Sequence, residues 1–173
     1  MHSPCIFSSP FPIAWHAPPL GFFKINTDGT ASDGSPSCIS MAIPDCRGSF
    51  IAASSKVLPA PFSTEIIEAL ALQDGVLLAL ELGISHAIVK SDALSIIQVI
   101  NEGVLGGDLG HIMQNIKNIS SSFSWCSFQH LKRSGNRAAH ELARAARISG
   151  VSQVWKGVCP SFVEHVIIED GSV

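Results

Sequence analysis

Asp28, Glu68 and Asp92 each adjoin an apolar run, and five of the chain's eleven basic residues (Lys132, Arg133, Arg137, Arg144, Arg147) fall between Leu131 and Arg147. Glu141 is the one acidic residue in that stretch, which leaves it a local net charge of +4. Hard carboxylate oxygens suit Mg²⁺, and a separate cationic surface suits a phosphate backbone. Each feature also has a plain reading. Asp28 before Gly29 reads as a turn aspartate at a strand end, and Asp92 as a helix cap. Glu65 competes with Glu68 for the inward position on one helix, and the basic stretch reads as a solvated helix face. Joint placement changes the weighing. Three carboxylates drawn together at the strand ends and helix starts of one sheet repel each other unless a cation neutralises them.

The elements that must position these residues are legible in the periodicity. Phe23, Ile25 and Thr27 alternate with Lys24 and Asn26, which predicts a strand; Cys38–Ile43 and Ser49–Val57 predict two more. Pro44 to Gly48 has hairpin chemistry, so the three strands form an antiparallel meander. Ser63 and Thr64 can cap a helix whose apolar positions (Ile66, Ile67, Leu70, Ala71, Val76, Leu77, Leu80) run to a stop at Gly83. A buried strand over His86–Lys90 and a helix over Ala93–Asn101 follow, then a Gly-rich loop and a helical stretch around Ile112–Ile119. SWCSFQHL alternates as a strand, and NRAAHELARAARIS has helix propensity. The expected fold is α/β, with a five-stranded mixed sheet (three antiparallel strands, then two parallel) and helices on both faces.

At 173 residues the chain suits one domain, placed at 21–170 behind an irregular Pro- and Ser-containing lead-in over 1–20. A hydrophobic content of 46% and a mean hydropathy of +0.33 exclude a disordered charged tail. The first twenty residues contain no Lys or Arg and are broken by Pro4, Pro10, Pro12, Pro18 and Pro19, so the expectation is an intracellular chain, nuclear or cytoplasmic, neither secreted nor in a membrane. Cys5, Cys38, Cys46, Cys126 and Cys159 are odd in number and widely spaced, which points to reduced thiols and not to a zinc site. A monomer is expected.

With those residues in view, the chain resembles the ribonuclease H type-1 family, most closely the form found in plant retroelement-derived reverse-transcriptase-like proteins. The motifs that carry the likeness occur in order: Trp15 through Pro18, Pro19, Gly21 and Lys24 into NTDG, then EALALQDGVLLA, KSDA and HLKRSGNRAAHELA. The resemblance implies a ribonuclease-H-like fold and cleavage of the RNA strand of RNA·DNA hybrids, with two Mg²⁺ ions, or Mn²⁺, clamping the scissile phosphate. It assigns Asp28, Glu68 and Asp92 to the first three carboxylates of a four-carboxylate site, with Glu68 taken over Glu65. It makes His130 a histidine that assists proton transfer or product release, and Asn136 a helix cap. Lys132, Arg133, Asn136 and Arg137 are expected to bind the nucleic acid. The pattern breaks at the fourth carboxylate, where His140 stands as a substitute ligand; an imidazole adds no negative charge and suits Mn²⁺ or Zn²⁺ better than Mg²⁺. SCISMAIPD is bulkier than the family's second strand, which would crowd a hybrid, and the loop from Glu102 to Gly110 lacks basic residues. These departures motivate two alternatives, a catalytically weak nucleic-acid-binding domain and a non-functional retroelement remnant.

Overall fold

A computed structural model describes residues 21–31, 34–103 and 106–171; the lead-in over 1–20 lies outside the described residues. The first strand, β1 (Phe23–Thr30), pairs antiparallel with β2 (Cys38–Pro44), which pairs antiparallel with β3 (Phe50–Val57). The β2–β3 turn closes because Asp45 Oδ1 accepts from the Arg47 and Ser49 amides at 2.8 Å each, while Gly48 adopts φ 78°. On the other side of β1, β4 (His86–Ser91) and β5 (Trp125–His130) join in parallel.

Among the described residues, five α-helices cover the sheet. Ser63 caps α1 (Thr64–Glu81), its Oγ accepting from the Ile66 amide, and Gly83 with φ 73° follows the helix end. The second and third helices are α2 (Leu94–Glu102) and α3 (Gly107–Ser120). Leu72 and Val76 of α1, Ile96 and Ile100 of α2, and Met113 and Ile116 of α3 form one core with Ile25, Met41, Ala52 and Val89 of the sheet. On the opposite face, Ala138 and Leu142 of α4 (Arg137–Ser149) and Val163 and Val166 of α5 (Ser161–Gly171) pack on Ala42 and Ala53. Each large aliphatic side chain so buried stabilises the fold by about 1.5–3 kcal/mol.

The expected mixed sheet with helices on both faces is present, but among the described residues it has six strands, not five, in the order β5-β4-β1-β2-β3-β6. The added strand, β6 (Gln153–Lys156), runs antiparallel along β3. It and α5 were not expected from the sequence. The bulk of β2 also lies elsewhere than expected. All seven residues Cys38–Pro44 are buried, so Ile39, Met41 and Ile43 fill the core and do not crowd a ligand-facing surface. Among the described residues no helix is long and apolar enough to cross a membrane, and the four cysteines described are free.

Candidate metal centre

Asp28 lies within β1, not in a turn after it; the strand continues through Gly29 to Thr30. The parallel register that sets Thr27 against Ser91 brings Asp92, the next residue after β4, beside Asp28. Asp92 is not occupied as a helix cap. Ser91 Oγ accepts from the Ala93 amide at 3.1 Å, and no side chain caps α2, whose N-terminal cap position is Ala93. Glu68 sits in the second turn of α1 and is 8% exposed, while Glu65 is exposed to solvent. Asp28, Glu68 and Asp92 each offer an oxygen within 4.8 Å of the others.

Two glycines allow this approach. A Cβ on Gly29 would stand 2.7 Å from Ile67 Cγ2 and 3.0 Å from the Glu68 nitrogen, and one on Gly75 would stand 2.8 Å from Thr27 Cγ2. The helix therefore lies close against β1. The Gly29 amide, so placed, favours the charged form of the Glu68 carboxylate.

The electrostatics are those of a centre that wants a cation. Burial pushes Glu68 up to about 8, and the charges of Asp28 and Asp92 add to the effect; the Gly29 amide and Arg133 oppose it. Asp28, 5% exposed, is also raised, by burial first and by Asp92 second, against the lowering influence of His140 and Arg133. Glu68 Oε2 is buried without a hydrogen-bond partner. An orphaned buried oxygen among three converging carboxylates is a donor set that a hard divalent cation fits.

The other expected residues divide. His140, on α4, stands beside the cluster with Nδ1 3.2 Å from Asp28 Oδ2. His130 ends β5 opposite Ser91, exposed at the same end of the sheet as Asp92. Lys132, Arg133 and Arg137 are exposed. Asn136 leaves the nucleic-acid-binding set: it is 1% exposed, and its Nδ2 donates to the Thr27 carbonyl at 2.8 Å. Nor does its side chain cap α4; it ties the start of that helix to β1 one residue before Asp28. The sequence reading missed three contributions: Gly29 as the point of close approach, Ser91 as the group that releases Asp92, and the charge of Arg133 on the cluster. The Asp-Gly pair was visible, but as a turn signal.

A family model described as reverse transcriptase-like matches residues 26–146, a span that includes Asp28, Glu68, Asp92 and His140. The chain belongs to the reverse transcriptase-like family. No curated protein matches this reverse transcriptase-like chain significantly. Solved structures share its fold. Ribonuclease H1 of the halophilic archaeon Halobacterium salinarum aligns with a TM-score of 0.68 at 18% identity, over 76% of this chain and all of that one. The N-terminal ribonuclease H domain of a Mycobacterium tuberculosis protein aligns with a TM-score of 0.68 at 21% identity, over 74% and 94% of the two chains. LC11-RNase H1, isolated from compost by a metagenomic approach and solved in complex with an RNA/DNA hybrid, gives 0.67 at 23% identity, over 74% and 98%. The fold is that of ribonuclease H.

Proposed function

We propose that this reverse transcriptase-like domain is a divalent-cation-dependent endonuclease that cleaves the RNA strand of RNA·DNA hybrids. The observation that carries the reading is the convergence of Asp28, Glu68 and Asp92 around an unpartnered, buried Glu68 oxygen. The hybrid bound by LC11-RNase H1 supports the substrate class. A divalent cation bound there, Mg²⁺ or Mn²⁺, supplies Lewis-acid stabilisation of the charge that develops on a phosphodiester under attack by water. The chain's own residues do the rest. Asp28, Glu68 and Asp92 hold the cation, and the Gly29 amide favours the charged form of the Glu68 carboxylate. Lys132, Arg133 and Arg137 contact phosphates and set the register of the hybrid. His130, exposed at the same end of the sheet as Asp92, serves proton transfer or product release, and His140 orients Asp28. Asn136 holds α4, and with it His140, against β1.

His140 favours a second reading, a domain that binds hybrids and does not cut them, because the imidazole leaves the centre one carboxylate short. Incubation of end-labelled RNA·DNA hybrid, single-stranded RNA and duplex DNA with the protein and Mg²⁺ or Mn²⁺ separates the two. Cleavage confined to the RNA strand of the hybrid is the expected result. Salt-sensitive binding without cleavage under either metal establishes the second reading instead.

A further inference from the structure

One flank of the carboxylate cluster is cationic. His140 Nδ1 lies 3.2 Å from Asp28 Oδ2 and 3.4 Å from Arg133 Nη2, so one imidazole nitrogen is within reach of both the Asp28 carboxylate and the Arg133 guanidinium. The two contacts compete for one nitrogen, which carries a proton when it donates to Asp28 and a lone pair when it accepts from Arg133. The charge on Arg133 persists in either case, because a guanidinium does not deprotonate in proteins. That charge reaches both Asp28 and Glu68 and favours their ionised forms.

One divalent ion among Asp28, Glu68 and Asp92 takes an oxygen from each carboxylate of the cluster. A second ion on the His140 flank would meet a ligand without negative charge and a permanently charged guanidinium beside it, and like charges repel. Resting on the reading of the carboxylates as a divalent-ion site, we infer that Arg133, beside His140, supplies the second positive charge of this centre, so that it holds one divalent ion where two were expected. Arg133 is exposed and carries a planar fork of donors, so the same group is available to a phosphate of the nucleic acid.

The test counts ions directly. Mn²⁺ is titrated into the full chain and followed by electron paramagnetic resonance, alone and with a hybrid whose RNA strand is 2′-O-methylated to resist cleavage. Wild type and Arg133→Lys bind one ion per chain in both conditions. Arg133→Ala, an exposed substitution that leaves the core intact, binds that ion roughly tenfold more tightly because a like charge is gone. Arg133→Ala combined with His140→Asp binds two ions. A purely structural role for Arg133 moves neither the count nor the affinity in this pattern. Two ions on wild type, or one on the double variant, overturn the inference and leave the metal site standing. No ion on wild type removes the metal site itself and the inference with it.

Discussion

Gly29 stands directly against the backbone of Glu68, a contact that exists because α1 lies close on the strand that carries Gly29. A methyl group at Gly29 would press on Ile67 Cγ2 at 2.7 Å and on the Glu68 backbone nitrogen at 3.0 Å. Gly29→Ala is therefore expected to destabilise the protein by about 1–3 kcal/mol through overpacking and to move Glu68 away from the aspartates. Thermal denaturation with and without Mn²⁺ checks both parts: the midpoint falls, and the rise produced by the metal shrinks. An unchanged midpoint and an unchanged metal response contradict the close-approach account.

The acidity of Glu68 makes a prediction about pH. Its value in the folded chain, about 8, lies above the ordinary 4.5, so the folded state holds this proton more firmly than the unfolded state does. The contribution is fully present below the ordinary value and is lost as pH rises through the folded value. Stability of the metal-free protein therefore declines between about pH 4.5 and about pH 8, at up to about 1.4 kcal/mol per pH unit from this group. Asp28, also raised, acts in the same sense. Glu68→Gln flattens the decline and is more stable than wild type at pH 8 without metal. Urea midpoints across this window measure it; a Glu68→Gln protein with the same pH profile as wild type is the contrary result.

Asn136→Ala separates structure from binding. The substitution removes a buried hydrogen bond to the Thr27 carbonyl and leaves that acceptor unpaired, at a cost of about 1–3 kcal/mol. Hybrid affinity, measured at a temperature where the variant is folded, is expected to stay within about twofold of wild type, since the side chain is buried and cannot touch a ligand. A large loss of affinity with stability intact would return Asn136 to the nucleic-acid surface.

Lys132 is exposed next to the Arg133–Gly135 turn. If it contacts a phosphate, Lys132→Ala lowers the slope of log affinity against log salt by about one unit, with little dependence on hybrid sequence. Fluorescence anisotropy across a salt series measures the slope, and an unaltered slope removes Lys132 from the interface.

The parts of the site that were legible in the sequence are those whose signal is local or periodic. Glu68 is the exception: spacing left it level with Glu65 and the family resemblance chose it, and in the structure it shares a face with Ala71, Gly75 and Leu78, all buried, whereas Glu65 is exposed. Three strands, the long helix and the β4–α2 unit announce themselves by alternation and by their Ser, Gly and Pro punctuation. What escaped depends on partners distant in sequence. Gln153–Lys156 is four residues long with three of them exposed, so no alternation marks it, and it becomes a strand only because β3 presents a free edge. Val163, Val166 and Ile167 have helical spacing, but their burial requires the apolar face of α4. An aspartate before a helix and an asparagine at a helix start both suggest capping. The actual partners, Ser91 for the Ala93 amide and the Thr27 carbonyl for Asn136, belong to other parts of the fold.

The central claim is that Asp28, Glu68 and Asp92 form a cation-dependent catalytic centre. Asp92→Asn tests it most directly, because Asp92 is partly exposed and makes no capping bond, so the isosteric amide leaves the fold unaltered. Cleavage of an RNA·DNA hybrid is compared between wild type and Asp92→Asn with Mg²⁺ and with Mn²⁺. The expected result is RNA-strand cleavage by wild type and a loss of about 100-fold or more in the variant under both metals. Equal activity of the two proteins contradicts the account.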